Sequence, residues 1–302
     1  MPAGRKIFCR GWGQWRDREI VTTPGERDLI DAARSGDARA IETLLERHEP
    51  RLYRFARRLC RSSTDAEDVL QESLLAAARG IRTFRGASSL STWLYSIARS
   101  YCIKKYRRRR SAPTEVSLDA GEAAGALERP DPAPGPEAAL EAKRLERALE
   151  KSIARLDRPH REVLILRDVE GLTAPEVSAV TGLSVAAIKS RLHRARARLR
   201  EDLAPLLLPR GEMPLAVDDR PCPEVVSLLS RHLEGDISPR ACARMQRHLS
   251  GCPRCRASCD TLRGVLEACR AVPSPDVPTA LQERVRAAIR AVISMSEGIP
   301  KA

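Results

Sequence analysis

A chain of 302 residues holds more than one domain, and a composition that is 42% hydrophobic but 3% aromatic implies leucine, valine, isoleucine and alanine cores in an all-α protein. A net charge of +13 points to an acidic polymer as partner, while the lack of a long apolar run or an apolar leader argues against a membrane span or secretory signal, so a cytoplasmic chain is expected. In that compartment nine cysteines suggest metal or redox chemistry rather than structural disulfides.

Residues 1–25 show no periodicity and are assigned only to an N-terminal tail. Helical signals begin at Glu26. Asp37 is placed to cap a helix carrying Ala40, Ile41, Leu44 and Leu45. Pro50 suits the first turn of a following helix that buries Leu52, Phe55, Ala56 and Leu59. Cys60 reads as a core residue, since no partner cysteine sits near it in the sequence.

The stretch SSTDAEDVLQESLLAAARG predicts a helix with a Thr64–Glu67 capping box and an apolar stripe of Val69, Leu70, Leu74 and Ala77. Asp65, Asp68 and Glu72 share its opposite face. On physical grounds this is either a solvated acidic face or a docking surface for a basic partner helix. Next, in TFRGASSLSTWLYSIARSYCIKKYRRRR, a Gly/Ser loop leads into a helix capped by Ser91 with Trp93, Leu94, Ile97 and Ala98 inside. The helix then turns basic through Arg99, Lys104, Lys105 and Arg107–Arg110, with Tyr95, Tyr101 and Tyr106 interleaved. Cations suit phosphates and aromatic faces stack on unpaired bases, and the polar loop beside them could cup an extruded base.

Residues 111–137 are rich in Ala, Pro, Gly and acid, and read as a flexible acidic linker. Helical pattern resumes near Ala138 and leads into Leu156–Arg200. There Thr173 and Glu176 form a capping box, Gly182 punctuates a turn, and Ser184 caps a helix with the stripe Ile188, Leu192, Ala195 and Leu199. Its remaining faces carry Lys189, Arg191, Arg194, Arg196, Arg198 and Arg200 with no acid before Glu201. A capped turn beside charge of one sign fits a helix-turn-helix entering the major groove.

Beyond a second loop at 209–220, Cys222 opens a helix with Val225, Val226, Leu229 and Leu233, and Ser238 caps another with Pro239 in its first turn. His248 and Cys252 are followed by Cys255 in a Cys-Pro-Arg-Cys knuckle. One imidazole and two thiolates then surround one point, and Cys222 completes a tetrahedral set for one zinc ion. His232, Cys242 and Cys259 remain alternatives to Cys222 as fourth ligand. Cys255, Cys259, Leu262, Leu266 and Cys269 share an apolar stripe, which makes Cys269 a core residue. An amphipathic helix over 279–295 follows, able to pack against the preceding modules.

In order and spacing, DAEDVLQES, FRGASSLSTWLYSIARSYCIKKYRRRR and REVLILRDVEGLTAPEVSAVTGLSVAAIKSRLHRARARLRE resemble a bacterial sigma factor of the extracytoplasmic-function group across about residues 26–205. The resemblance implies a region 2 module at 26–110 and a region 4 helix-turn-helix at 138–205, with core RNA polymerase and promoter DNA as partners. Asp65, Asp68, Gln71 and Glu72 would grip the polymerase clamp helices. Phe84, Arg85, Ser89, Trp93, Tyr95, Arg99, Lys104 and Lys105 would melt and read the −10 element, and Ser184, Ala187, Lys189, Ser190, Arg191 and Arg194 the −35 element. The linker would thread the RNA exit path. Residues 220–270 resemble a zinc-binding anti-sigma domain, which implies control of the sigma modules in cis by intramolecular contact. The other reading is a stand-alone helix-turn-helix regulator with a structural zinc knuckle. An enzyme is not expected, because no nucleophile–base pair, phosphate loop or open metal position is visible.

Overall fold

The computed structural model describes residues 25–60, 62–111, 136–207, 222, 224–271 and 276–297, and no strand occurs among them. Most of the acidic linker, the tail and the 209–220 loop lie outside the described residues.

The first module comprises α1 (Glu26–Ser35), α2 (Ala38–Leu59), α3 (Ser63–Gly80), a 3-10 turn (Ile81–Thr83) and α4 (Leu90–Ser111). The Asp37 side chain accepts from Ala40 N–H and starts α2. Pro50 does not begin a helix. It lies inside α2, where it removes one backbone donor. The helix continues because Leu44 and Leu45 before Pro50, and Leu52, Phe55 and Ala56 after it, enter the same core. The caps of α3 and α4 also differ from expectation. Ser62, not Thr64, accepts from Asp65 N–H at 3.1 Å, and Ser89, not Ser91, accepts from Thr92 N–H at 3.2 Å. In both cases the cap lies two positions earlier, which gives each helix a longer first turn.

The second module comprises α5 (Pro136–Arg155), α6 (Arg158–Leu164), which runs into a π-turn at Ile165–Val169, then α7 (Ala174–Thr181) and α8 (Val185–Leu207). The C-terminal segment adds α9 (Val225–Leu233), α10 (Pro239–Gly251), α11 (Pro253–Ala271) and α12 (Thr279–Glu297). One core runs without a break from α1 through both modules and on to α12. A second, small core joins α9, α10 and one face of α11.

Helix α11 belongs to both cores. Cys255, Cys259, Leu262 and Leu266 face the small one, while Val265 and Cys269 face the large one. The expected single stripe therefore splits, and Cys269 packs toward the preceding modules rather than into its own. Helix α12 lies on α3 and α2, with Leu281, Val285, Ile289 and Ile293 turned inward.

Candidate nucleic-acid interface and metal centre

The helix-turn-helix is built by its caps. Thr173 Oγ1 accepts from Glu176 N–H, and Glu176 Oε2 accepts from Thr173 N–H at 2.8 Å. Gly182 ends α7 at φ 74°, a left-handed conformation that glycine takes without a Cβ penalty. Ser184 Oγ accepts from Ala187 N–H at 3.2 Å and starts α8. Ile188, Leu192, Ala195 and Leu199 are buried beneath it. Ser184, Ser190 and Arg194 are exposed, while Ala187, Lys189 and Arg191 are half-buried. Lys189 Nζ lies 3.4 Å from Asp236 Oδ1 in the C-terminal segment.

Arg196 departs from the expected basic face. It is 2% exposed, and its guanidinium donates to Asp168 Oδ2 at 2.9 Å and Oδ1 at 2.6 Å. It also donates to Glu234 Oε1 at 2.8 Å and Ser230 Oγ at 3.2 Å, both on the α9 side. Arg167 Nε donates to the other Glu234 oxygen at 3.0 Å. Burial opposes the charge on Arg196, but Asp168 and Glu234 outweigh it and hold the guanidinium protonated above the ordinary arginine range.

A second charged seam joins the first two modules along α4. Arg54 forms a bidentate pair with Glu170, and Tyr95 Oη donates to Glu170 Oε2 at 2.7 Å. Arg99 Nε donates to Glu162 Oε1 at 2.6 Å, and Ser89 and Thr92 hydroxyls each donate to Glu176 Oε1 at 3.2 Å. Glu176 thus serves both its own cap and the loop ahead of α4.

Two aromatic residues expected at the −10 element, Tyr95 and Phe84, lie inside the core. Tyr95 is buried edge-on against Phe55, with its hydroxyl pushed well above its usual pKa by burial and by Glu170. Phe84 is buried against Trp93, with ring centroids 5.3 Å apart. Each fills core that the sparse aromatic content leaves to few residues. Arg85 and Lys104 are exposed, and Trp93 is half-buried. Lys105 is held by Asp68 of α3. On the acidic face Asp65 is buried rather than solvated, leaving Gln71 and Glu72 partly exposed beside the paired Asp68.

Cys222, His248, Cys252 and Cys255 converge, each offering a ligand atom within 4.8 Å of the others. Cys222 precedes α9 rather than opening it. His248 sits in the last turn of α10, Cys252 caps that helix, and Cys255 lies in the first turn of α11. The donor set fits a tetrahedral borderline-soft ion. His248 Nε2 is buried without a hydrogen-bond partner, as a metal-facing nitrogen would be in protein alone. The Cys255 backbone N–H helps lower the thiol pKa of Cys252, which suits a thiolate ligand. The alternatives lie elsewhere. His232 is on α9 with Nδ1 4.0 Å from Cys242 Sγ, and Cys259 is in the small core with its thiol pushed up to about 12 by burial.

The acids at Glu162, Asp168, Glu170 and Glu234 form the seams, and nothing in the sequence around them marks that role. Their partners lie 28 to 116 positions away, so no local spacing marks them.

The Sigma-70 region 2 family matches residues 44–112, the Sigma-70, region 4 family matches 146–199, and a zinc-finger family matches 222–256. The ECF RNA polymerase sigma factor SigM of Mycobacterium tuberculosis is 32% identical over 58% of this chain and 82% of its own length. The RNA polymerase sigma factor CnrH of Cupriavidus metallidurans is 36% identical over 58% of this chain and 92% of its own. A solved structure of CnrH in complex with the cytosolic domain of CnrY is 30% identical, covers 59% of this chain and 96% of that one, and has a TM-score of 0.42.

Proposed function

The chain belongs to the extracytoplasmic-function group of RNA polymerase sigma factors, and from that premise we propose that its C-terminal Cys/His module restrains promoter reading in cis. As a sigma factor it is a transcription initiation factor rather than an enzyme. The observation that carries the cis reading is Glu234. This carboxylate, only 3% exposed at its side chain, enters from the C-terminal segment and meets both Arg167 and Arg196 of region 4. In the reading we propose, Asp236 on Lys189 and the α12 arginines on α2 and α3 extend the same cover.

The residue roles follow. Asp68, Gln71 and Glu72 dock on core RNA polymerase. Arg85, Trp93, Arg99, Lys104 and Lys105 act at the −10 element. Ser184, Ala187, Lys189, Ser190, Arg191 and Arg194 act at the −35 element. Before these contacts form, Arg99 gives up Glu162, Lys105 parts from Asp68, and Lys189 gives up Asp236. Cys222, His248, Cys252 and Cys255 hold one zinc ion, which would cross-link the approach to α9 to the α10–α11 turn. The module's own core is small, so that cross-link sets how firmly Glu234 is presented.

Run-off transcription with core polymerase tests the reading by comparing the full chain with one ending at Leu207. The shorter chain is expected to give more transcript. Equal output from the two would sink cis restraint while leaving the sigma assignment intact. Metal analysis is expected to find one zinc per chain, lost in Cys252→Ser and Cys255→Ser.

A further inference from the structure

Cys60 and Cys102 are 42 positions apart in sequence, yet their Sγ atoms lie 3.4 Å apart where α2 ends against the middle of α4. Neither belongs to the Cys/His cluster, and promoter reading uses neither. We propose that Cys60 and Cys102 form a redox site separate from the Cys/His cluster, a dithiol that a hydroperoxide oxidises to an intramolecular disulfide.

The two thiols are not equivalent. Cys102 is 4% exposed, and its contact with Cys60 together with burial holds its thiol well above the ordinary cysteine range. It therefore keeps its proton, and the two sulfurs share a contact in which either can donate. Cys60 is half-buried and opens into a cleft of about 450 Å³ that is also lined by Arg57, Arg58, Glu150 and Arg161. Arg58 gives two nitrogens to Glu150, while its Nη1 is buried without a partner. A small oxidant thus reaches Cys60 first. The excess of guanidinium over carboxylate there favours the negative charge that develops on a departing oxygen.

The chemistry balances in two steps. The Cys60 sulfur gives up its proton to solvent and attacks the terminal oxygen of the hydroperoxide. An S–O bond forms, the O–O bond breaks, and the departing oxygen leaves as water or an alcohol after taking up a proton. Cys60 is then a sulfenic acid. Cys102 sulfur attacks the Cys60 sulfur, an S–S bond forms, the S–O bond breaks, and the hydroxyl leaves as water with the Cys102 proton. The thiols lose the two electrons that the peroxide gains. A bonded pair of sulfurs lies about 2 Å apart, so disulfide formation requires the two sulfurs to close by a little over 1 Å. The bond pins the end of α2 to α4. It does so two residues beyond Arg58, whose pair with Glu150 joins α2 to α5.

The test treats the full-length chain with an equal concentration of hydrogen peroxide, then digests it without reductant for mass spectrometry. A peptide pair linked through Cys60 and Cys102, lighter by two hydrogens than its separate thiols, is expected and should be absent in Cys60→Ala. In Cys102→Ser, dimedone is expected to label Cys60. Cross-links confined to Cys222, Cys252 and Cys255, or failure of Cys60 to take dimedone in a folded Cys102→Ser chain, would overturn the proposal. Should Cys102→Ser not fold, the unsubstituted chain decides alone, since absence of the Cys60–Cys102 link there also overturns it.

Discussion

At the inner junction, where α9 and α11 meet α8, Glu234, Asp168 and Arg196 have side chains no more than 4% exposed. At the outer junction, where α12 crosses α2 and α3, Arg284, Arg286 and Arg290 reach Glu67, Glu46 and Glu42 with side chains 47 to 62% exposed. The inner contact places charge inside and is intolerant of a missing partner. Removing one member of a buried set leaves an uncompensated ion, at a cost of about 3–5 kcal/mol. The outer contact places an apolar stripe inside and charge at the rim, where solvent and salt screen each pair. The inner junction therefore sets which surfaces meet, and the outer one adds graded, salt-sensitive adhesion.

The largest expected effect is at Glu234. Glu234→Arg sets a third guanidinium against Arg167 and Arg196 in the same dry space, which should cost the junction several kcal/mol. Release of α9–α11 from α8 is expected, seen as faster amide exchange in α8 peptides and a rise in run-off transcript. Glu234→Gln keeps the shape and one acceptor, so its effect should be smaller. If Glu234→Arg leaves both α8 exchange and transcript unchanged, the inner junction does not hold the module and the comparison fails.

The next effect separates the junctions. Ile289 is 4% exposed on the inner stripe of α12. Ile289→Ala removes buried methyl groups and should weaken the outer contact by about 2 kcal/mol or more. Exchange is expected to rise in α3 and α12 peptides while α8 stays protected. A matching rise in α8 would show that the two junctions open together.

How much of this was legible in the sequence depends on the range of the interaction. The Thr173–Glu176 box, the Gly182 turn and the Ser184 cap are local, and they stand where three- and four-residue spacing puts them. The Cys/His convergence is semi-local, since the knuckle supplies two ligands and one helical turn a third. The caps of α3 and α4 moved by two positions because several serines and threonines compete there, and sequence alone does not rank them. Tyr95 suits base stacking in the sequence because aromatic and basic residues alternate around it, and Phe84 is a −10 candidate through the family resemblance alone. Their burial depends on Phe55 and Trp93 and, for Tyr95, on Glu170, contacts that appear only once the helices pack. Cys60 looked solitary for the same reason, since Cys102 reaches it only through the packing of α2 against α4.

The smallest effect comes from the rim. Arg290 donates to both Glu42 oxygens at 2.9 and 3.3 Å, and the pair raises its pKa, yet the guanidinium stands in water. Arg290→Glu exchanges attraction for repulsion at one exposed site, the smallest of the three effects and visible only at low ionic strength. Raising salt toward 1 M shortens the screening length to about 3 Å, so the difference between Arg290→Glu and the unsubstituted chain should shrink. The Glu234→Arg defect should persist at the same salt, because its charges exclude solvent and counterions alike. Exchange in α12 and α8 peptides, followed across a salt series, measures both. If salt erases the two defects equally, water and ions reach Glu234 as readily as the rim, and the inner junction is not the dry contact its 3% exposure implies.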